Sequence, residues 1–336
     1  MTPRKLQTYN IMAKAKPFIK WVGGKSQLIE QLDIQLPADF GNWENVTYIE
    51  PFVGGGAMLF YMLQRYPNIK NALINDINPD LVNCYRTVRD NPEQLIESLI
   101  DIEDAYFALP SEERRKEFFM AVRDRYNEKD LDPIENTSKF FFLNRTCFNG
   151  LYRVNKKGLF NVPFGKYSNP TICDPKTIMK DSELLQRVEI LNGDFEGTFE
   201  YAQGNTLFYF DPPYRPLSDT SSFNDYAKES FNDDDQIRLK EYCDRINEAG
   251  FRFMLSNSDC KSKNEEDSFF DVLYATYQIE RVWASRCINS NPSKRGKLTE
   301  ILVHNYIETK NNTRGNIFNY ANNISEEREL PLIVNQ

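Results

Sequence analysis

The run FYFDPPYRPL, Phe208 to Leu217, drives apolar and aromatic residues straight into a carboxylate, two prolines and a tyrosine. Proline fixes its own φ and disfavours helix at the residue before it, so Pro212 and Pro213 end the strand on a stiff turn. Asp211 then presents an acceptor, and Tyr214 an aromatic face, at the carboxyl end of a strand. In open α/β sheets that is where ligands bind.

EPFVGGGA, Glu50 to Ala57, reads as a second strand end running through three glycines into a helix. Glycines there let the backbone approach a ligand beside a helix N-terminus. Asp76 follows 22 positions after Gly54, at the end of the next strand, a spacing suited to a carboxylate gripping ribose hydroxyls. Leu59 stands where a dinucleotide fingerprint needs its third glycine, which argues against NAD. In WVGGKSQ, Trp21 to Gln27, the GKS triplet imitates a phosphate loop, but Ile19 occupies the place of its first glycine. Trp21, Gly23 and Lys25, opening a helix, are read instead as lining a cofactor. In NGDF, Asn192 to Phe195, Asp194 can accept from an adenine amino group while Phe195 covers the ring.

The block NRTCFNGLYRVNKKGLFNVPFGKY, Asn144 to Tyr167, joins aromatics to arginines around an Asn155–Gly158 hairpin turn. Aromatics can stack on bases or wedge into a base step, and arginine matches the two major-groove acceptors of guanine. The overall charge of −8 disguises a segregated field. Residues 1–29 hold six Lys or Arg, 144–167 five and 281–299 five, and none of these stretches contains an acid. Such separation steers a polyanion to one face.

Strand and helix patterns alternate from Asn45 to about residue 90, give way to purely helical, charge-rich periodicity from Asn91 to about Phe142, and resume near Arg187. This predicts an α/β sheet interrupted by a mainly helical insertion. The single histidine, His304, lies in the apolar run ILVHNY and reads as a strand residue, which excludes histidine-dependent triads. Six cysteines without a C-x-x-C pair imply reduced thiols and no metal site. No apolar run reaches membrane-spanning length, and a cytoplasmic location is expected.

FIKWVGGK, EPFVGGG, NDIN, NRTCFNGLYRVN, NGDF and DPPY, in this order, resemble the Dam-like adenine-specific DNA methyltransferases of the alpha group, over roughly residues 17 to 307. The resemblance implies a Rossmann-like S-adenosylmethionine-binding sheet at 17–90 and 186–308. It also implies a mainly helical target-recognition domain at 91–185 carrying a DNA-contacting β-hairpin. Residues 1–16 form an N-terminal extension and 309–336 a polar tail, with no role assigned. By the same resemblance, Phe52, Gly54 and Gly56 form the cofactor turn, Asp76 holds the ribose and Asp194 the cofactor's adenine, while Asp211, Pro212, Pro213 and Tyr214 are catalytic. Phe148 stands where many relatives carry an intercalating tyrosine. Leu151, Arg153 and Pro163 align with positions that read GATC, Lys20 with a lysine that reads the outer base pair, and Asn149 and Tyr167 complete the DNA-facing set. The expected activity is transfer of a methyl group to N6 of an adenine flipped out of double-stranded DNA, in GATC. A longer GAT-containing site, cytosine-N4 methylation and a catalytically silent DNA-binding module stay open as alternatives. A companion restriction endonuclease stays open as a second partner.

Overall fold

The computed structural model describes residues 14–215, 231–262, 264–285 and 297–306. Seven strands form its sheet: β1 (Val46–Glu50), β2 (Ile69–Asp76), β3 (Val188–Asn192), β4 (Thr206–Phe210), β5 (Arg252–Ser258), β6 (Gln278–Ser285) and β7 (Lys297–His304). Their order is β3-β2-β1-β4-β5-β7-β6. β1 to β5 run parallel, and β7 enters antiparallel to both β5 and β6. The order reverses between β1 and β4, which opens a crevice at their carboxyl ends.

β1 and β4 are buried at every residue, as expected of parallel strands covered on both faces. The period of two sends alternate residues to opposite cores. Leu207 and Tyr209 of β4 join one core with Met254 of β5 and Leu302 of β7. Phe208 and Phe210 join the other with Phe253, Leu255, Ile301 and Val303.

Helices α1 (Ile29–Ile34), α2 (Ala57–Arg65) and α3 (Pro79–Asp90) flank the first core. Asn78 caps α3 by accepting from the Asp80 and Leu81 amides, with Pro79 at its first turn. The region read as helical holds α4 (Pro92–Phe107), α5 (Glu112–Asn127), α6 (Pro133–Thr146) and α7 (Pro175–Leu185). Their buried Leu95, Phe119, Phe142 and Ile178 belong to the same apolar cluster as Tyr48 and Leu59, so the insertion shares its core with the sheet. α8 (Asp233–Glu248) and α9 (Phe269–Leu273) cover the opposite face.

His304 is buried in β7, with Nδ1 2.9 Å from the Tyr306 carbonyl and its ring against Tyr306. Among the described residues, no helix is long and apolar enough to cross a membrane, and no cluster of His, Cys, Asp and Glu could hold a metal. The extension up to residue 13, residues 286–296 of the third basic stretch, and the tail lie outside the described residues.

Candidate active site

Parity of the strands brings the DPPY turn together with its neighbours. Asp211 follows Tyr209 by two residues, and Ser256 lies two beyond Met254 on the neighbouring strand. The Ser256 hydroxyl donates to Asp211 Oδ1 at 3.2 Å. Glu300 lies two residues before Leu302 on β7 and reaches the same side. Lys25, only 4% exposed, lies beneath the DPPY turn. Its ammonium is 2.9 Å from Asp211 Oδ1 and 3.4 Å from Glu300 Oε2, donates to the Tyr214 hydroxyl, and sits 4.2 Å from the Tyr214 ring centre. The Tyr214 hydroxyl in turn donates to Glu300 Oε2 at 2.6 Å. Burial pushes the Asp211 carboxyl above the usual carboxylate range, opposed by the adjacent Lys25 ammonium.

The turn is anchored from outside. Buried Gln236 donates to the Pro213 carbonyl at 3.2 Å and accepts from Asn257 at 3.1 Å. Arg215 is bidentate to Asp233, at 2.8 and 3.1 Å, and pairs with Asp267 at 2.8 Å. Asp211 through Tyr214 therefore lie between a fixed strand and a clamped arginine.

Beneath the crevice, Glu50 at the end of β1 is 2% exposed and accepts from the Tyr48 hydroxyl. Burial pushes its carboxyl up to about 8, against the Tyr48 hydrogen bond and with help from nearby Asp211, so Glu50 is largely neutral at pH 7.

The glycine turn lies alongside. Gly56, at φ +72°, caps α2, and a Cβ there would run into the Tyr85 hydroxyl, which itself donates to the Gly54 carbonyl at 2.9 Å. Asp76 Oδ2 accepts from the Gly54 amide at 3.1 Å and Oδ1 from the Asn78 amide at 2.9 Å. Burial raises the Asp76 carboxyl, and these amides pull it back. Phe52 is half-buried against Phe195, ring centres 5.2 Å apart. Trp21 lies over Gly54 and Gly55 and stacks on Tyr152 at 5.5 Å. Gly23 is exposed in the turn ahead of Lys25.

Three sequence expectations need correction. Lys25 does not open a helix, since α1 starts at Ile29, and its ammonium lies against Asp211. Phe195 does not offer a free face: it is 3% exposed, walled by Phe52, Phe231 and Tyr242, with the Arg238 guanidinium 4.4 Å above it. Asp194 faces Arg238 bidentately at 3.0 and 2.9 Å and also caps the following 3-10 turn through the Glu196 amide. Although burial would raise it, the Arg238 guanidinium holds the Asp194 carboxyl below its ordinary value.

The basic block forms a looser hairpin than its sequence implies, with isolated bridges at Val154–Phe160 and Cys147–Phe164 in place of a ladder. Side chains make up the difference. Asn155 accepts from the Lys157 and Leu159 amides, and Asn127 at the end of α5 pairs both backbone groups of Phe160. Exposed Arg153 is steadied by Asn161, 2.8 Å from its Nε. Asn144 ties the Lys20 backbone to the Gly150 carbonyl, and Gly150, at φ +64°, lets the loop pass over the Lys20 side chain. Phe148 is thereby held 51% exposed, with its amide on the Pro163 carbonyl at 2.8 Å. Tyr167 accepts from the Asn149 amide at 3.0 Å and lies 5.1 Å from the Lys20 ammonium. Leu151 is half-buried and Pro163 exposed on the same loop. The DNA-facing set of the sequence reading thus lies together.

Glu50, Ser256 and Glu300 were missed. Glu50 carried a signal, because EPF and DPP are the same acid–proline ending on two neighbouring parallel strands. Glu300 carried none, since β7 joins the sheet from the far end of the chain.

The model of the D12 class N6 adenine-specific DNA methyltransferases matches residues 21–288. The chain is 47% identical over 296 residues to the Type II methyltransferase M.MjaIII of Methanocaldococcus jannaschii, covering 87% of this chain and 100% of that one. It is 39% identical over 306 residues to the Type II methyltransferase M1.LlaDCHI of Lactococcus lactis, covering 88% and 99%. It is also 35% identical over 294 residues to a DNA adenine methylase of Vibrio cholerae, covering 87% and 96%. A seven-stranded, mostly parallel sheet ending in acid–proline turns, matched along most of its length, makes this chain a member of the D12 class of N6 adenine-specific DNA methyltransferases.

Proposed function

We propose that this enzyme transfers a methyl group from S-adenosylmethionine to N6 of an adenine extruded from double-stranded DNA, and that its site is GATC. The observation that carries the reading is the acceptor geometry at Asp211: Oδ1 already takes hydrogens from an ammonium at 2.9 Å and a hydroxyl at 3.2 Å. The same carboxylate would take a hydrogen from the target's amino group.

The residues present fit the cofactor. Each Asp76 oxygen accepts one backbone amide and keeps a lone pair for a ribose hydroxyl. At Gly56 a Cβ would run into the Tyr85 hydroxyl, so glycine lets this turn pack down on Tyr85 beside Asp76. Asp194 would take an adenine amino group only by sharing its carboxylate with Arg238. When bound, S-adenosylmethionine supplies a methyl group on an electrophilic sulfonium.

Adenine N6 is a poor nucleophile because its lone pair is delocalised into the ring. Asp211 and the Pro212 carbonyl accept its two hydrogens, turn the amino group toward tetrahedral geometry and aim the lone pair at the methyl carbon. Tyr214 stacks on the extruded base. As the cofactor would supply its methyl group to N6, Asp211 would take the surplus N6 proton. Because Gln236 and Arg215 hold the turn, the acceptors need no reorganisation during the reaction.

For specificity, Phe148 enters the base stack and Arg153 reads guanine in the major groove, with Leu151 and Pro163 beside the thymine and Lys20 at the outer pair. The Type II names of two relatives support a companion restriction endonuclease as a second partner. Methylation-aware sequencing of DNA from cells expressing the protein tests the site: adenines in GATC modified throughout support it, and modification confined to a longer GAT-containing sequence replaces it.

A further inference from the structure

Resting on that reading, we propose that Glu300 is a positioning residue for the transfer: it takes over the Lys25 ammonium when the target's amino group arrives at Asp211. On this proposal the amino group uses Asp211 Oδ1, the oxygen that Lys25 occupies. The Lys25 ammonium lies 2.9 Å from Asp211 Oδ1 and 3.4 Å from Glu300 Oε2, between two carboxylates with one positive charge to share. Being 4% exposed, it cannot retreat to water, and a buried ammonium without a partner is strongly disfavoured. A shift of about 0.6 Å toward Glu300 would bring it to ordinary charge-assisted hydrogen-bond distance there. The same Glu300 oxygen already accepts the Tyr214 hydroxyl at 2.6 Å, so the base-stacking ring stays anchored while the ammonium moves. Glu50, the other acid near Asp211, is held by Tyr48 and kept largely neutral by burial, which leaves Glu300 as the carboxylate that can receive the charge.

The test is single-turnover methylation by the full chain, with labelled S-adenosylmethionine and a duplex that the wild type modifies. Cofactor and duplex affinities are measured separately, and 2-aminopurine at the target position reports base extrusion. Glu300→Gln keeps the shape and an acceptor for Tyr214 but removes the charge. Expected is a rate loss of about 30-fold, with both affinities within about threefold and unchanged 2-aminopurine emission. Glu300→Asp, which keeps the charge, should retain most of the rate. A Glu300→Gln rate near wild type, or an equal loss in Glu300→Asp, overturns the proposal. Absence of adenine methylation by the wild type overturns the functional reading instead.

Discussion

Lys25 Nζ stands 2.9 Å from Asp211 Oδ1, closer than the Ser256 hydroxyl that shares the same oxygen. One buried ammonium thus touches the acid, the tyrosine and, through Glu300, the antiparallel strand β7. It counters the burial that raises the Asp211 carboxyl and so favours the ionised, acceptor-only form that an amino donor requires.

At the cofactor end, Asp76→Ala should weaken S-adenosylmethionine binding by ~1.5–3 kcal/mol for each charge-assisted hydrogen bond lost to the ribose. Asp76→Asn keeps an acceptor for the Gly54 amide and should lose less. Calorimetry on both variants checks this, and unchanged affinity in Asp76→Ala would place the cofactor elsewhere.

On the DNA face, Arg153→Ala should cost about 1–3 kcal/mol of discrimination at one base pair, whereas Lys156→Ala should weaken all sequences alike and flatten the salt dependence. Asn161 already fixes Arg153 through Nε, so Asn161→Ala should loosen discrimination in the same direction but less. Methylation rates on single-substituted duplexes separate the two behaviours.

Stability should fall with rising pH. Burial raises Glu50 to about 8, and likewise Asp181, whose Oδ1 accepts from the Lys16 amide at 3.1 Å. Between the ordinary carboxylate range and about pH 8 the folded chain binds more protons than the unfolded one, so the stability these groups contribute is complete at low pH and lost as pH climbs through 8. Glu50→Gln should flatten that decline and leave the variant more stable than wild type at pH 9. Denaturant unfolding at pH 6 and pH 9 measures it; an equal decline in wild type and variant would contradict a protonated Glu50.

Local rules made much of this molecule readable. Prolines after Asp211, glycines after Phe52 and the Pro79 start of α3 each act within a few residues, and the structure places each where local chemistry demands. The unread parts are those that depend on distant chain. Lys25 looked like a helix opener until the turn after β4 folded over it. The hairpin at Val154–Phe160 is held by the Asn155–Leu159 and Asn161–Arg153 backbone hydrogen bonds, and Asn127 of distant α5 takes the outward-facing backbone groups of Phe160. Arg238, in the second turn of α8 and outside every motif, claims Asp194 because α8 packs beside the 3-10 turn.

The central claim is that Asp211 accepts from the amino group of the target adenine. Its most direct measurement is the single-turnover rate of methyl transfer from labelled S-adenosylmethionine to duplex DNA, for wild type and Asp211→Ala, with the label located on the base. The account predicts label on adenine N6 with the wild type. It predicts a loss of at least about 10²–10³-fold in Asp211→Ala, the scale of removing one preorganised hydrogen-bonding group, while cofactor and DNA binding stay nearly intact. Near-wild-type transfer by Asp211→Ala would contradict it.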